Sequence, residues 1–234
     1  MTPTLLQPPS RPRLAGRGVA HRTVRGVARD GGCETLRRRD LDLLAWLGEQ
    51  YGARTDQIQA LLDCGPRTIQ RVLARLRDAG LLTTRRLLVG EPAWVIPTST
   101  GLRACGSGFA TWRPRVGLLA HVAAVNDVRL HVQARSPDCE WVCERLLARE
   151  RNPREHLPDA LVLLDGQRVA IEVELTVKSQ RRVTAILDEL TCRFDTALYF
   201  CAPGPHRQIT GLAETGRWPT LGVRELPKPT ADSP

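Results

Sequence analysis

Apolar residues recur with helical spacing from Asp40 onward. Asp40 is read as the cap of a first helix running to about Tyr51, with Leu41, Leu44, Ala45 and Leu47 inward. Thr55 caps a short second helix, Asp56 to Leu62, with Ile58, Leu61 and Leu62 inward. After the turn Asp63-Cys64-Gly65, Pro66 sits where a first-turn proline is tolerated, and a third helix runs from Arg67 to Ala79. Gly80 stops it. Leu81 to Val89 and Trp94 to Ile96 read as two strands around Gly90-Glu91-Pro92, and Thr98 to Cys105 as a closing turn or short helix. Further on, Val116 to about Ala134 is a long helix and Trp141 to Ala148 a strand. Ala160 to Leu164 and Arg168 to Thr176 form a hairpin through Asp165-Gly166. Ser179 caps a helix to Arg193 with Val183, Ile186, Leu187 and Leu190 inward. Ala197 to Cys201 is a buried strand, Pro205 to Thr215 a helix, and Leu221 to Leu226 a last strand.

Three helices followed by a hairpin is the order of a winged helix-turn-helix, and the second half reads as an α/β domain. The expected organisation is an arm over 1–38, a winged-helix domain over 39–105 and a linker over 106–115. An α/β domain over 116–226 and a tail over 227–234 follow. The arm is rich in Pro, Gly and Arg without periodicity and is expected to be disordered, as is the tail.

Charge sharpens this reading. The net charge is +9, and residues 1–39 hold nine Arg against only Asp30 and Glu34. A basic tail of this kind often contacts nucleic acid. Only Lys178 and Lys228 are lysines. No apolar run approaches the roughly 18 residues of a membrane span, and no signal-peptide core is present, so a cytoplasmic location is expected. Seven scattered cysteines, with no CxxC pair, give neither a disulfide framework nor a zinc site.

On the third helix, Ile69, Val72, Leu73 and Leu76 cluster inward at 100° per residue. Arg67, Gln70, Arg71, Ala74 and Arg75 share the opposite face. Guanidinium and carboxamide groups suit base edges and phosphates of double-stranded DNA, and Arg85 and Arg86 of the hairpin can hold phosphates beside them. An ordinary solvated face is the competing reading.

The most specific stretch is Pro158-Asp159, followed by Glu172-Val173-Glu174 and Lys178. On a strand, Ala170, Glu172, Glu174 and Thr176 face one side, while Val169, Ile171, Val173, Leu175 and Val177 face the core. Carboxylates on a buried strand need a partner. The Asp165-Gly166 turn folds Asp159 back beside Glu172. Asp159, Glu172 and Glu174 then make a hard-oxygen site for Mg²⁺ or Mn²⁺. A plain salt bridge, of Glu174 with Arg182 or Arg168, is the structural alternative.

Asp159, Glu172 and Glu174 resemble the PD-(D/E)xK motif of restriction-endonuclease-like proteins. Joined to a winged helix, the run from Glu172 to Ser179 resembles the actinobacterial replication-relaxation proteins of plasmids and integrative elements. It is also similar to conjugative relaxases built on a restriction-like fold. The resemblance implies metal-dependent nicking of DNA, with Asp159 and Glu172 on the metal and the Val173 carbonyl as a further ligand. Glu174 occupies the motif's lysine position, and Lys178, four residues on, is the candidate replacement. The other outcome is a DNA-binding regulator or accessory replication factor with a degenerate nuclease fold. Asp127, Glu144 and Arg182 are additional candidates for the site. His121 and Asp127, six apart, cannot point at one metal. Tyr51, at the end of the first helix, and Tyr199, in a buried strand, argue against a phosphotyrosine mechanism. A second copy of the chain, or other replication and transfer proteins, would be the protein partners.

Overall fold

The computed structural model describes residues 36–150, 152–153 and 155–228, which belong to one unit beginning at Leu36. The arm through residue 35 and the tail from 229 lie outside the described residues. The elements of the first half are α1 (Arg38–Glu49), β1 (Ala53–Arg54), α2 (Thr55–Leu62), α3 (Pro66–Asp78), β2 (Leu82–Arg85), β3 (Trp94–Pro97) and α4 (Ser99–Ala104). Those of the second half are α5 (Val116–Arg135), β4 (Glu140–Cys143), α6 (Glu144–Glu150), β5 (Ala160–Leu164), β6 (Gln167–Glu174), α7 (Gln180–Arg193), β7 (Thr196–Cys201), α8 (Pro203–Ala213) and β8 (Leu221–Glu225). The fold is mixed α/β with two sheets.

In the first half the helical periodicity places the core. Leu43, Leu44 and Leu47 of α1 pack with Ile58 of α2 and with Ile69, Val72, Leu73 and Leu76 of α3. Pro66 is the first residue of α3, and Gly80 turns the chain out of it at φ +70°. β2 and β3 pair antiparallel, and β1 adds a third strand on the other side of β3. Asp40 does not cap α1. It lies inside the first turn, where its Oδ2 accepts the Arg37 N–H at 3.0 Å, and it is buried at 1 % exposure. Its Oδ1 pairs with Arg75 at 2.7 Å, tying α3 to α1.

The second half is a five-stranded sheet in the order β4-β5-β6-β7-β8. β4, β5 and β6 run antiparallel, and β6, β7 and β8 run parallel. Asp165 and Gly166 both take positive φ (50° and 77°), the tight β5–β6 turn that a right-handed sheet twist favours. Val125 and Val128 of α5 cover one face, over Ile171, Val173, Leu198 and Phe200. Val183, Ile186, Leu187 and Leu190 of α7 cover the other, with Ile209 of α8. The strand expected over 141–148 ends at Cys143. Glu144 opens a helix there, on the segment Glu144-Arg-Leu-Leu-Ala-Arg-Glu, whose residues all favour helix over strand.

The two halves meet along a polar seam on α5. Gln57 of α2, fully buried, donates to the Ala123 carbonyl at 2.8 Å and to Asp127 Oδ1 at 2.7 Å. Asn126 donates to the Gly52 carbonyl at 2.9 Å, and Arg129 pairs with Glu49 at 2.8 Å. Residues 106–115 carry no helix or strand but are packed. Trp112 sits 5.8 Å from both Tyr51 and Trp94, and the Arg145 guanidinium lies 4.4 Å over Phe109.

Candidate functional site

Two places carry the candidate chemistry. On α3 the apolar stripe is buried as the spacing requires, and Arg67, Gln70 and Arg71 are exposed. Arg85 and Arg86, at and just past the end of β2, are exposed too. Among the described residues, no carboxylate pairs with Arg67, Arg71, Arg85 or Arg86. Arg75 stands apart from this set, because its guanidinium is committed to buried Asp40.

The second place is the end of the large sheet. Asp159 lies one step beyond the last β5–β6 ladder pair, Ala160–Ile171, and so comes opposite Glu172. Its Oδ2 accepts the Val173 N–H at 2.7 Å, which fixes the carboxylate across the strands. Its Oδ1 lies 2.8 Å from His121 Nε2. Glu172, 5 % exposed, lies with Oε1 2.8 Å from His156 Nε2. Glu174, also buried, pairs with Lys178, the partner four residues along, rather than with Arg182 or Arg168. All of this sits where parallel β6 and β7 end and where α7 and α8 begin, the end at which α/β sheets collect ligands.

The electrostatics mark Glu172 as the least comfortable of the three. Burial pushes its carboxyl up to about 7, against the lowering effect of His156, and the nearby Asp159 charge adds to the rise. His121 is shifted upward, chiefly by its hydrogen bond to Asp159, against burial. Burial draws His156 downward, but the hydrogen bond and charge of Glu172, with the charge of Glu189, carry it above its ordinary value. The loop bearing His156 is held from α7: Glu189 accepts the His156 N–H and Arg193 donates to its carbonyl at 2.9 Å.

The structure therefore brings Asp159, Glu172, Glu174 and Lys178 to one sheet end. It adds two histidines that the sequence did not assign there. His121 lies 38 residues before Asp159 and reaches it only because α5 packs across the sheet. His156, in an irregular loop, carried one usable signal, its place three residues before Asp159. Asp127 does not join them; it accepts from Gln57 and lies 3.5 Å from Arg54 in the seam. Glu144 approaches from α6: it lines one small cavity with His121, Asp159 and Tyr51, and the Tyr51 hydroxyl donates to it at 3.1 Å. Burial and Glu144 push that phenol up to about 12. Tyr51 thus borders the site, while Tyr199 is buried as expected. Arg182 is exposed on the first turn of α7, with no side-chain partner among the described residues.

Among the described residues, no three His, Cys, Asp or Glu side chains form a ready-made metal cage. The donor chemistry still suits a hard divalent cation. Two adjacent carboxylates, one of them buried and driven toward its neutral form, are hard oxygen donors whose charge a divalent cation would stabilise.

A helical module with an exposed cationic face, locked to an α/β half with an acidic sheet end, defines the class. The replication-relaxation family model matches residues 44–189, more than half of the chain, and the protein belongs to that family. Comparisons with curated proteins and with solved structures give no match.

Proposed function

We propose that the chain is a DNA-binding protein of plasmid or mobile-element replication or transfer that nicks DNA with Mg²⁺ or Mn²⁺. In this reading residues 39–105 act as a winged helix: Arg67, Gln70 and Arg71 enter the major groove, and Arg85 and Arg86 grip phosphates. The α/β half works as a restriction-endonuclease-like domain, with Asp159 and Glu172 holding the cation and the Val173 carbonyl as a further ligand. A divalent ion held there would lower the pKa of a water and offset charge on the phosphate. The remaining work belongs to the chain. The Val173 N–H and His121 orient Asp159, and His156 orients Glu172. Lys178, anchored on Glu174, places an ammonium beside the phosphate in the role of the motif's lysine. The observation that carries the reading is the meeting of Asp159 and buried Glu172 at the strand ends.

A second reading is a non-catalytic DNA-binding accessory factor. It is favoured by one fact: each carboxylate already has its own partner, in His121, His156 or Lys178. Supercoiled plasmid separates the two. Wild type with Mn²⁺ is expected to produce open circles, and Glu172→Gln or EDTA to abolish them. Binding of DNA without nicking at any cognate site supports the accessory factor.

A further inference from the structure

Two cavities adjoin along residues 111–115, and a third, small one shares Tyr51 with the second. The first, about 480 Å³, is bounded by Arg85 of β2, by Thr98 and Ser99 at the start of α4, and by Thr111, Trp112 and Arg113. The second, about 370 Å³, shares Thr111, Trp112 and Arg113 and continues past Arg115 and Arg145 to Tyr51. Tyr51 is in turn a wall of the third, about 20 Å³, which holds His121, Glu144 and Asp159. The three shared residues join the first two cavities into one groove from the β2–β3 hairpin to Tyr51, which also borders the small cavity at the carboxylate site.

We infer that this groove carries a single strand of DNA to Asp159. The inference rests on the DNA-nicking reading above and names the form in which that site receives its substrate. No carboxylate lines either of the two larger cavities, while Arg85, Arg113, Arg115 and Arg145 all do. The side chains of Arg85, Arg113 and Arg115 are exposed and make no ion pair or hydrogen bond among the described residues. Guanidiniums without counter-charges along one groove match a polyanion. The groove's size selects the form. Cavities of this volume take ligands of nucleotide dimensions, whereas a duplex, whose major groove alone is about 12 Å wide, cannot enter them. An aromatic stands midway: Trp112, half-buried, sits tilted 5.8 Å from both Tyr51 and Trp94. A basic groove with an aromatic platform is how single strands are held. Tyr51, which lines both the second cavity and the third, adopts φ +68°, a left-handed conformation costly for a bulky residue.

The test is fluorescence anisotropy with a labelled oligothymidine of about 12 nucleotides and, separately, a labelled duplex. Arg113→Gln/Arg115→Gln is expected to weaken single-strand binding about tenfold and to flatten its salt slope by about 1.4. Duplex affinity should fall less than about threefold, since α3 holds that contact. Arg113→Lys/Arg115→Lys should keep single-strand binding, which separates charge from folding. Wild type that binds duplex but not the oligothymidine, or a Gln variant that binds it as wild type does, overturns the inference alone. Wild type that binds no DNA in either form overturns the DNA-acting reading beneath it.

Discussion

The exposed face of α3 and the end of the large sheet hold charge in opposite ways. On α3 the guanidiniums of Arg67 and Arg71 stand free in water. At the sheet end every carboxylate is buried or half-buried and already met by a histidine or lysine. Water stabilises a free surface charge at little cost, so a face that meets a polyanion can leave its cations unpaired. A buried carboxylate has no such support and must be matched by neighbours or by an ion. A surface charge is thus released to a partner, while a buried one is held in reserve by its own fold.

The largest break in this comparison comes at the carboxylates. Asp159→Asn or Glu172→Gln should reduce plasmid nicking by about a hundredfold or more, as loss of a group acting on the reacting centre does. Duplex affinity, read by gel shift, should stay at the wild-type level, because α3 is untouched. The converse variant, Arg67→Gln/Arg71→Gln, should cost about tenfold or more in duplex affinity and lower the salt slope by about 1.8. Its melting temperature should not move, since neither side chain has a partner among the described residues.

Arg75 sharpens the contrast, because it shares the helix with Arg71 but behaves like the buried set. Arg75→Met strands Asp40, which is 1 % exposed, and should cost about 2 kcal/mol, a fall in Tm of roughly 4–8 °C. Arg71→Met should cost almost nothing by the same measurement. A smaller effect follows from Glu172. Its folded pKa of about 7 lies above the ordinary 4.5, so the folded state loses stability as pH rises between those values and keeps that penalty above 7. Glu172→Gln carries no such penalty. The Tm of the variant relative to wild type should therefore rise by a few degrees from pH 5 to pH 8.

Legibility in the sequence followed the same division. The inward stripes of α3 and α7 and the Asp165-Gly166 turn were readable, because each is set by a local period or by one residue's φ preference. Glu172 and Glu174 announced themselves as charges on an apolar strand. His121 did not, since its distance from Asp159 is closed by helix-on-sheet packing that no spacing encodes. Asp127 was misplaced for a related reason: on the same helix it faces well away from His121 and enters the seam with Gln57. Arg75 looked like its neighbours because periodicity assigns a face and not a partner.

Calorimetric titration with Mn²⁺ tests the centre of the account most directly. Wild type should take up the ion with measurable heat at a single site, and Asp159→Ala should abolish that heat while its melting and DNA binding persist. A wild type that gives no heat, or an Asp159→Ala variant that titrates as wild type does, would contradict it.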